Sequence, residues 1–563
     1  MENSTILKLF QLTINLLELH DENPFRLKAY QNALFNLEKT DTVLSGLSLP
    51  ELEKLDGVGK STAAKIVDIN NRGTFAELEG LVAKTPEGVI EMFDIKGIGA
   101  KKIRTIWTEL GIEHMHDLLL ACENNQISKL KGFGEKTQES IRQSLLFNQA
   151  NADKLLFSQA EAISEELKKY LLEKFDTVSE SGQIRRKLEI IDCIQLMVAA
   201  ETPTEIADWL NQHPLLQQDE KQSSPFAWRG NYKALPIAIE VFFANKPQFV
   251  GRLFAHSAAK AHLSYRAETT KESLLKTAMS GSFESEEAIY QKAGLPYIVP
   301  ELREGLFEFN WIKDHSVSEL ITLPDLKGIL HNHSTYSDGK HSLEEMALHC
   351  RDLGFQYLGI SDHSKTAFYA NGLSEERIEQ QHREIDALNE RLAPFRIFKG
   401  IESDILNDGA LDYSDTVLAS FDFIVASIHS NLKMDERKAT QRLIKAIENP
   451  FTTMLGHPTG RLLLRREAYP IDHQAVIDAC AEHGVVIEVN ANPWRLDLDW
   501  RWIQYALEKG VRISINPDAH EKNGYQDMKY GVAVARKGGL TQQMTFNALP
   551  LAEVAQFFLE KSR

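Results

Sequence analysis

The stretch GILHNHSTYSDG, residues 328–339, decides how this chain is read. A short apolar run leads into His331 and His333, and an acid follows at Asp338. Alternate residues of an extended strand face the same side, so both imidazoles point one way. Six more apolar runs follow: YLGISDH (357–363), FRIFKGIES (395–403), DFIVASIHS (422–430), TTMLGHP (452–458), VVIEVNAN (485–492) and RISINPDAH (512–520). Longer helical patterns separate them, the signature of repeated β/α units. Six of the seven runs finish on or beside a His, Asp or Glu. In barrels of parallel strands the active site sits at the C-terminal strand ends. The pattern therefore predicts one rim lined with ligand-type side chains.

The histidine distribution points the same way. The chain has 18 histidines, and 11 of them lie from His331 to His520. The candidate metal ligands are His331, His333, Asp338, His363, Glu402, His429, His457, Asp518 and His520. Six imidazoles and three carboxylates exceed what one tetrahedral ion uses. They suit two or three divalent ions with a bridging carboxylate such as Glu402. Such ions lower the pKa of water and neutralise charge on a phosphoryl group, which phosphoester hydrolysis needs together. His341, His349, His382, His473 and His483 fall on predicted helices or loops and read as ordinary structural residues.

The bulk properties bound the rest. A chain of 563 residues is too long for one core and predicts several domains. Cys122, Cys193, Cys350 and Cys480 form no CxxC pair, which fits a reducing cytoplasm and not a disulfide scaffold. No apolar run is long enough for a membrane span, and MENSTILKLFQLT has no export-signal pattern. We expect a cytoplasmic monomer. The net charge of −17 excludes a broadly basic DNA-binding surface, so DNA would have to be held at local sites.

Three helical segments near the start supply such sites: LDGVGKSTAAKI (55–66), IKGIGAKKIRTI (95–106) and LKGFGEKTQESI (130–141). Each places Gly-apolar-Gly before a helix. The pairs are Gly57 and Gly59, Gly97 and Gly99, and Gly132 and Gly134. Such a turn exposes N–H groups at a helix N-terminus, where a DNA phosphate can bind without a basic field. Between this region and the barrel, KLEIIDCIQLMVAAE (187–201) and LPIAIEVFFA (235–244) read as strands, and 313–326 reads as a linker.

These motifs carry resemblances. HNHSTYSDG, SDHSK, GIESDI, SIHS, GHPTGR and NPDAH resemble the successive motifs of the PHP (polymerase and histidinol phosphatase) family. That likeness implies a distorted (β/α)7 barrel and a trinuclear centre of manganese, zinc or iron. The family's usual Asp two residues before the first His is Ile329 here. Lys365, Arg461, Asn490, Asn492 and Arg495 are candidate phosphate or substrate contacts, or else solvated rim residues. The glycine segments resemble helix-hairpin-helix motifs, and ENPFRLKAYQNAL (22–34) resembles the opening of the N-terminal domain of family X DNA polymerases. Lys65 falls where that family carries a Schiff-base lysine for abasic-site cleavage; read alone, it is a solvated surface lysine.

SGQIRRKLEIIDCIQLMV (181–198) resembles the palm motif of family X polymerases, with Arg185, Arg186 and Glu189 matching. Cys193 and Gln195 stand where the family has its two metal-binding aspartates, and Glu240 stands in the strand of the third. The nucleotide-binding turn corresponds to 255–259, without its aromatic pair and glycine. Cys and Gln are poor ligands for Mg²⁺, which prefers carboxylate oxygen. FESEEAIYQKAGLPYIVPELREG (283–305) resembles the family's thumb end. The expectation is a multidomain α+β and α/β protein. A helical domain with a helix-hairpin-helix would span 1–72 and a tandem helix-hairpin-helix region 73–148. A degenerate polymerase palm and thumb would span 149–312, and a PHP barrel 327–563. It would bind DNA and act as a metal-dependent phosphoesterase, a 3′→5′ exonuclease or end-processing enzyme of repair. An active family X repair polymerase and a small-molecule phosphatase are the alternatives.

Overall fold

A computed structural model describes residues 3–40, 42–95 and 97–561. Chain contacts divide it into two compact units, 1–152 and 153–563.

The first unit is helical. Helix Asn3–Leu19 buries Ile6, Phe10, Ile14 and Leu17, one stripe at helical spacing, and packs against helix Pro24–Leu37. Asn23 caps the second helix by accepting from the Phe25 N–H, with Pro24 in its first turn. One apolar core runs from Ile6 to Leu145. The three glycine pairs share one geometry. Gly57, Gly97 and Gly132 have φ of 70°, 91° and 86°, the left-handed region that favours glycine. Gly59, Gly99 and Gly134 are the N-caps of helices Lys60–Arg72, Ala100–Leu110 and Glu135–Asn151. The apolar residue between each pair anchors the turn, and Val58 and Ile98 are buried.

The second unit carries both sheets expected from sequence. A five-stranded sheet runs in the order Val178–Ser181, Cys193–Ala199, Ile237–Ala244, Ala227–Tyr232, Leu216–Gln218. Only Cys193–Ala199 and Ile237–Ala244 pair in parallel, which sets Gln195 beside Glu240.

Seven parallel strands follow in sequence order: Gly328–Ile329, Tyr357–Ile360, Arg396–Asp404, Phe423–Ser427, Met454–Leu455, Val486–Asn490 and Ile513–Asn516. Their residues are almost all buried, as strands covered on both faces must be. The sheet curls until its last and first strands nearly meet. The His333 N–H donates to the Ala519 carbonyl (2.8 Å), and the Asp518 N–H to that of His331 (3.0 Å). Asn547 bridges the same seam: its Nδ2 donates to the carbonyls of Gly328 and Ile515, and its Oδ1 accepts from the Ile515 N–H.

The stretch 313–326 is not a free linker. Leu320 and Ile321 are buried, the Ile321 N–H donates to the Leu540 carbonyl, and short 3₁₀ turns fill the rest. Palm and barrel are joined directly. Glu189 accepts from the Trp500 indole N–H (3.1 Å) and from Arg501 (2.8 Å). Fully buried Lys537 donates to the carbonyls of Arg186 and Glu301 and pairs with Glu304.

Candidate metal centre

The barrel brings all nine candidate ligands to one rim. Four groups of ligand atoms, each within 4.8 Å of one another, overlap there. They are His333, Asp338, His363 and His520; His331, Glu402 and His457; His331, His333 and Asp518; and His363, Glu402 and His429. Glu402 lies in two groups and is the hub. Its carboxylate is 3.0 Å from His457 Nε2, 3.0 Å from His363 Nδ1, 3.2 Å from His429 Nε2 and 3.4 Å from His331 Nε2. Asp518 lies 3.1 Å from His333 Nε2 and 3.4 Å from His331 Nε2. Asp338 is 3.4 Å from His520 Nε2 and 3.7 Å from His363 Nε2. Two of the nine stand in left-handed backbone, His457 at φ 23° and Asp518 at φ 53°. Such conformations cost energy and gather at functional sites.

The donor set fits divalent metal ions. His331 Nε2 and Glu402 Oε2 are fully buried and make no hydrogen bond. Buried polar atoms are almost always satisfied, so two orphans facing one point call for a ligand. Burial opposes charge on Glu402, yet His429, His331 and His363 hold its carboxyl well below the usual carboxylate range. Burial likewise opposes charge on Asp518, and His331, His333 and Arg495 hold it down. Burial pushes His333 and His457 down to about 3, leaving neutral imidazoles. For His429 burial is overcome by Glu402 and Asp404, which raise it to about 10. For His520 burial is overcome by Asp338 and Asp518, which raise it to about 9.

A second layer orients these ligands. Asp404 faces His429 Nδ1 at 2.5 Å, and Glu488 faces His331 Nδ1 at 2.7 Å. Glu488 also accepts from the His457 N–H. Asp362 accepts from Ser334, Ser337 and Gln381 and fixes the loop after His333. Carboxylates behind ligating histidines set the tautomer and ring angle. The sequence reading passed over all three, although each sits within or beside a strand-end motif. Glu488 is the clearest signal, a lone acid inside the otherwise apolar VVIEV.

The other candidates separate by what their polar atoms touch. Arg495 Nε lies 3.3 Å from Asp518, at the centre. Lys365 is half-exposed on the rim, 3.7 Å from Glu375. Arg461 is spent elsewhere: it donates to the carbonyls of Arg495 and Leu496 and pairs with Asp499 at 2.6 Å. Asn490 donates to Asp518 (3.1 Å), and Asn492 caps the turn at Trp494. The Arg461 and Asn490 donors are thus engaged within the protein, while Asn492 uses its side-chain oxygen to hold the rim turn. His349, His382 and His473 pack against Tyr525, Phe421 and Trp502, away from the centre.

In the palm, Gln195 Nε2 donates to Glu240 Oε2 (2.7 Å), and Arg229 Nε pairs with Glu240 Oε1 (2.7 Å). Both oxygens of the single carboxylate are thus occupied by side chains. A Cβ on Gly182 would meet Gln195 Oε1 at 1.7 Å, so a side chain there would displace the Gln195 amide from its present position. Arg185 and Arg186 are consumed in ion pairs with Glu286 (2.7 Å) and Glu304 (3.3 Å). In the helical unit, Lys65 is 3.3 Å from Glu77 and 4.6 Å above the Tyr30 ring.

Comparison with known proteins adds the following. Profiles for a helix-hairpin-helix domain, a SAM-like helix-hairpin-helix tandem and a PHP domain match residues 1–75, 89–145 and 330–492. The chain is 36% identical over 574 residues to the DNA polymerase/3′-5′ exonuclease PolX of Bacillus subtilis, covering 99% of both chains. The barrel region is also similar to proteins named probable phosphatases. One from Thermoanaerobacter sp. is 26% identical over 244 residues, 41% of this chain and 94% of that protein. One from Aeromonas hydrophila is 36% identical over 165 residues, 28% of this chain and 65% of that protein.

Proposed function

The chain belongs to the bacterial family X DNA polymerases that carry a C-terminal PHP domain, and from that premise we propose that it is a metal-dependent DNA phosphodiesterase that trims 3′ ends in repair, with the barrel as its only catalytic centre. The observation that carries the reading is the convergence of nine ligand-type side chains on Glu402 and its neighbours, with two buried ligand atoms left without hydrogen bonds.

Bound divalent ions, two or three of manganese, zinc or iron, would supply charge neutralisation at the phosphoryl group and lower the pKa of water. The chain's own residues divide the remaining work. His331, His333, Asp338, His363, Glu402, His429, His457, Asp518 and His520 would hold the ions, with Glu402 shared between two of the ligand groups. Asp404 and Glu488 orient two of the imidazoles. Arg495, beside Asp518, and Lys365, half-exposed on the rim, would contact the substrate phosphate. The hairpin glycines hold DNA. Gly59, Gly99 and Gly134 have ordinary extended φ, and a Cβ on any of them would meet no atom within 4 Å. Folding therefore does not require glycine there, whereas close approach of a phosphate to the backbone does. Among the described residues no helix is long and apolar enough to cross a membrane.

Nucleotidyl transfer needs carboxylates holding two Mg²⁺ ions. At the three positions where the family carries its aspartates this chain offers Glu240 alone, already paired with Arg229 and Gln195, so the polymerase fold serves as a frame. A primer-extension assay with Mg²⁺ or Mn²⁺ should give no templated synthesis; robust extension would overturn this part. The similarity of the barrel to probable phosphatases favours one second reading, hydrolysis of small phosphomonoesters. Comparing p-nitrophenyl phosphate with an end-labelled oligonucleotide decides between them. Efficient hydrolysis of the monoester with an untouched oligonucleotide would replace our reading.

A further inference from the structure

Directly after the ligand His363, the chain makes a short loop, 365–371, that exposes two aromatic side chains. Phe368 is 86% and Tyr369 69% exposed. Both are among the largest exposed apolar groups, and leaving them in water has no folding rationale.

The loop beneath them is held rigidly. Thr366 donates from its N–H to Asp412 (2.7 Å) and from its hydroxyl to Asp404 (3.1 Å). The Lys365 N–H donates to the Tyr413 hydroxyl. Ala367 and Ala370 are buried under the two rings' backbone. Asn371, at φ 55°, donates to the carbonyls of Tyr336 and Ser337, and Arg377 donates to Asn371 and Gly372. Gly372 is pressed against the chain, since a Cβ there would lie 1.9 Å from the Ser364 carbonyl oxygen. Two exposed rings on a fixed pedestal are pre-organised for contact.

Tyr369 also stands at the metal centre, with Phe368 next to it in the chain. The Tyr369 ring centroid is 6.3 Å from that of His363. Arg495 and Arg466 lie within electrostatic reach of the Tyr369 ring, and Arg495 contacts Asp518. The mouth therefore offers the Tyr369 ring beside the ligand His363, with the Arg495 guanidinium on the same ligand cluster. The chemical species that presents a flat π-face and a phosphate at that separation is a nucleotide.

We propose that Phe368 and Tyr369 form a stacking platform for the base of the unpaired 3′-terminal nucleotide. The platform holds the base while the adjoining phosphate enters the centre. It rests on the phosphodiesterase reading above and specifies its substrate as a frayed or single-stranded end. Stacking tolerates any base, so the platform gives no sequence preference.

The test compares two 5′-labelled single-stranded oligonucleotides with Mn²⁺, identical except that one ends in a 3′ abasic (tetrahydrofuran) residue. The quantity read is the ratio of kcat/KM for the two. In the wild-type protein the normal end should be preferred by about 5- to 100-fold, the range that loss of one stacked base produces. The double variant Phe368→Ala/Tyr369→Ala should bring the ratio close to one. Phe368→Trp/Tyr369→Phe, which keeps both rings, should keep the wild-type ratio. An alanine variant with the wild-type ratio, or a ring-preserving variant that loses it equally, overturns the platform and leaves the phosphodiesterase reading intact. A wild-type protein that cuts neither oligonucleotide sinks the phosphodiesterase reading, and the platform with it.

Discussion

Replacing Asp404 by asparagine isolates the layer that orients the metal ligands. Asp404 is nearly fully buried; one oxygen lies 2.5 Å from His429 Nδ1, and the other accepts from Thr366. This arrangement leaves His429 Nε2 directed at Glu402, 3.2 Å away. Asparagine keeps the shape and can still accept through its amide oxygen, but the charge is gone. Hydrogen bonds to charged groups contribute about 1.5–3 kcal/mol and neutral ones about 1 kcal/mol. The substitution should thus cost about 1–2 kcal/mol in holding the ion at His429. The same carboxylate also favours the proton that the ion must displace from Nε2, which offsets part of the loss. With that offset, apparent Mn²⁺ affinity should fall by about 2- to 30-fold, at or below the lower part of the range for such partners. The assay is the rate of shortening of a 5′-labelled single strand against Mn²⁺ concentration. The curve should shift to higher Mn²⁺ with a maximal rate within about threefold of wild type. Asp404→Ala should shift it further. If neither variant moves the curve, His429 is not a ligand held by this pair.

Further outcomes follow from other parts of the molecule. Gly59→Ala, Gly99→Ala and Gly134→Ala have room and an allowed φ, so thermal stability should change by less than about 1 kcal/mol each. The triple variant should nonetheless bind duplex DNA at least about tenfold more weakly by fluorescence anisotropy, from roughly 1 kcal/mol per lost phosphate contact; unchanged affinity would remove the hairpins from DNA binding. Manganese loading should release protons, because His429 and His520 are raised to about 10 and about 9 in the metal-free protein. Apparent affinity should accordingly fall as pH drops from about 9 to 6, and a pH-independent titration would contradict the ligand assignment. Glu286 is pushed up by burial but held near 2 by Arg303 and Arg185. A depressed carboxyl stabilises the fold above its ordinary pKa near 4.5, and this is lost as pH falls toward 2. Glu286→Gln should cost at least about 3 kcal/mol at neutral pH, since it also leaves buried Arg303 without its partner, and should flatten that acid limb. Identical pH profiles of thermal unfolding would refute it.

Much of the site was legible in the sequence because a parallel barrel forces it to be. Each strand delivers its ligand at the same end, so GILHNH, GIES, SIHS, GHP and NPDAH repeat one pattern along the chain. The hairpins were legible for a similar local reason, since a left-handed turn before a helix needs the first glycine of each pair. What escaped was pairing between distant residues. His331 meets Glu488 across 157 positions, and Glu189 meets Arg501 across 312, and no local spacing encodes either. The segment 313–326 read as a linker because Leu320, Ile321 and Leu326 are too few to show a period, yet their burial ties it to the barrel. Arg461 read as a rim cation, but its donors are taken by carbonyls of a loop over thirty residues away.

The central claim is that this one rim of nine side chains cuts DNA. Shortening of a 5′-labelled single strand by the purified protein with Mn²⁺, compared with Asp518→Ala, tests it most directly. Asp518 touches His331, His333 and Arg495, so its loss removes a ligand without touching the hairpins or the palm. Stepwise shortening from the 3′ end by the wild type, and its loss by at least about a hundredfold in the variant, is the predicted result. Shortening by Asp518→Ala at the wild-type rate would contradict the account.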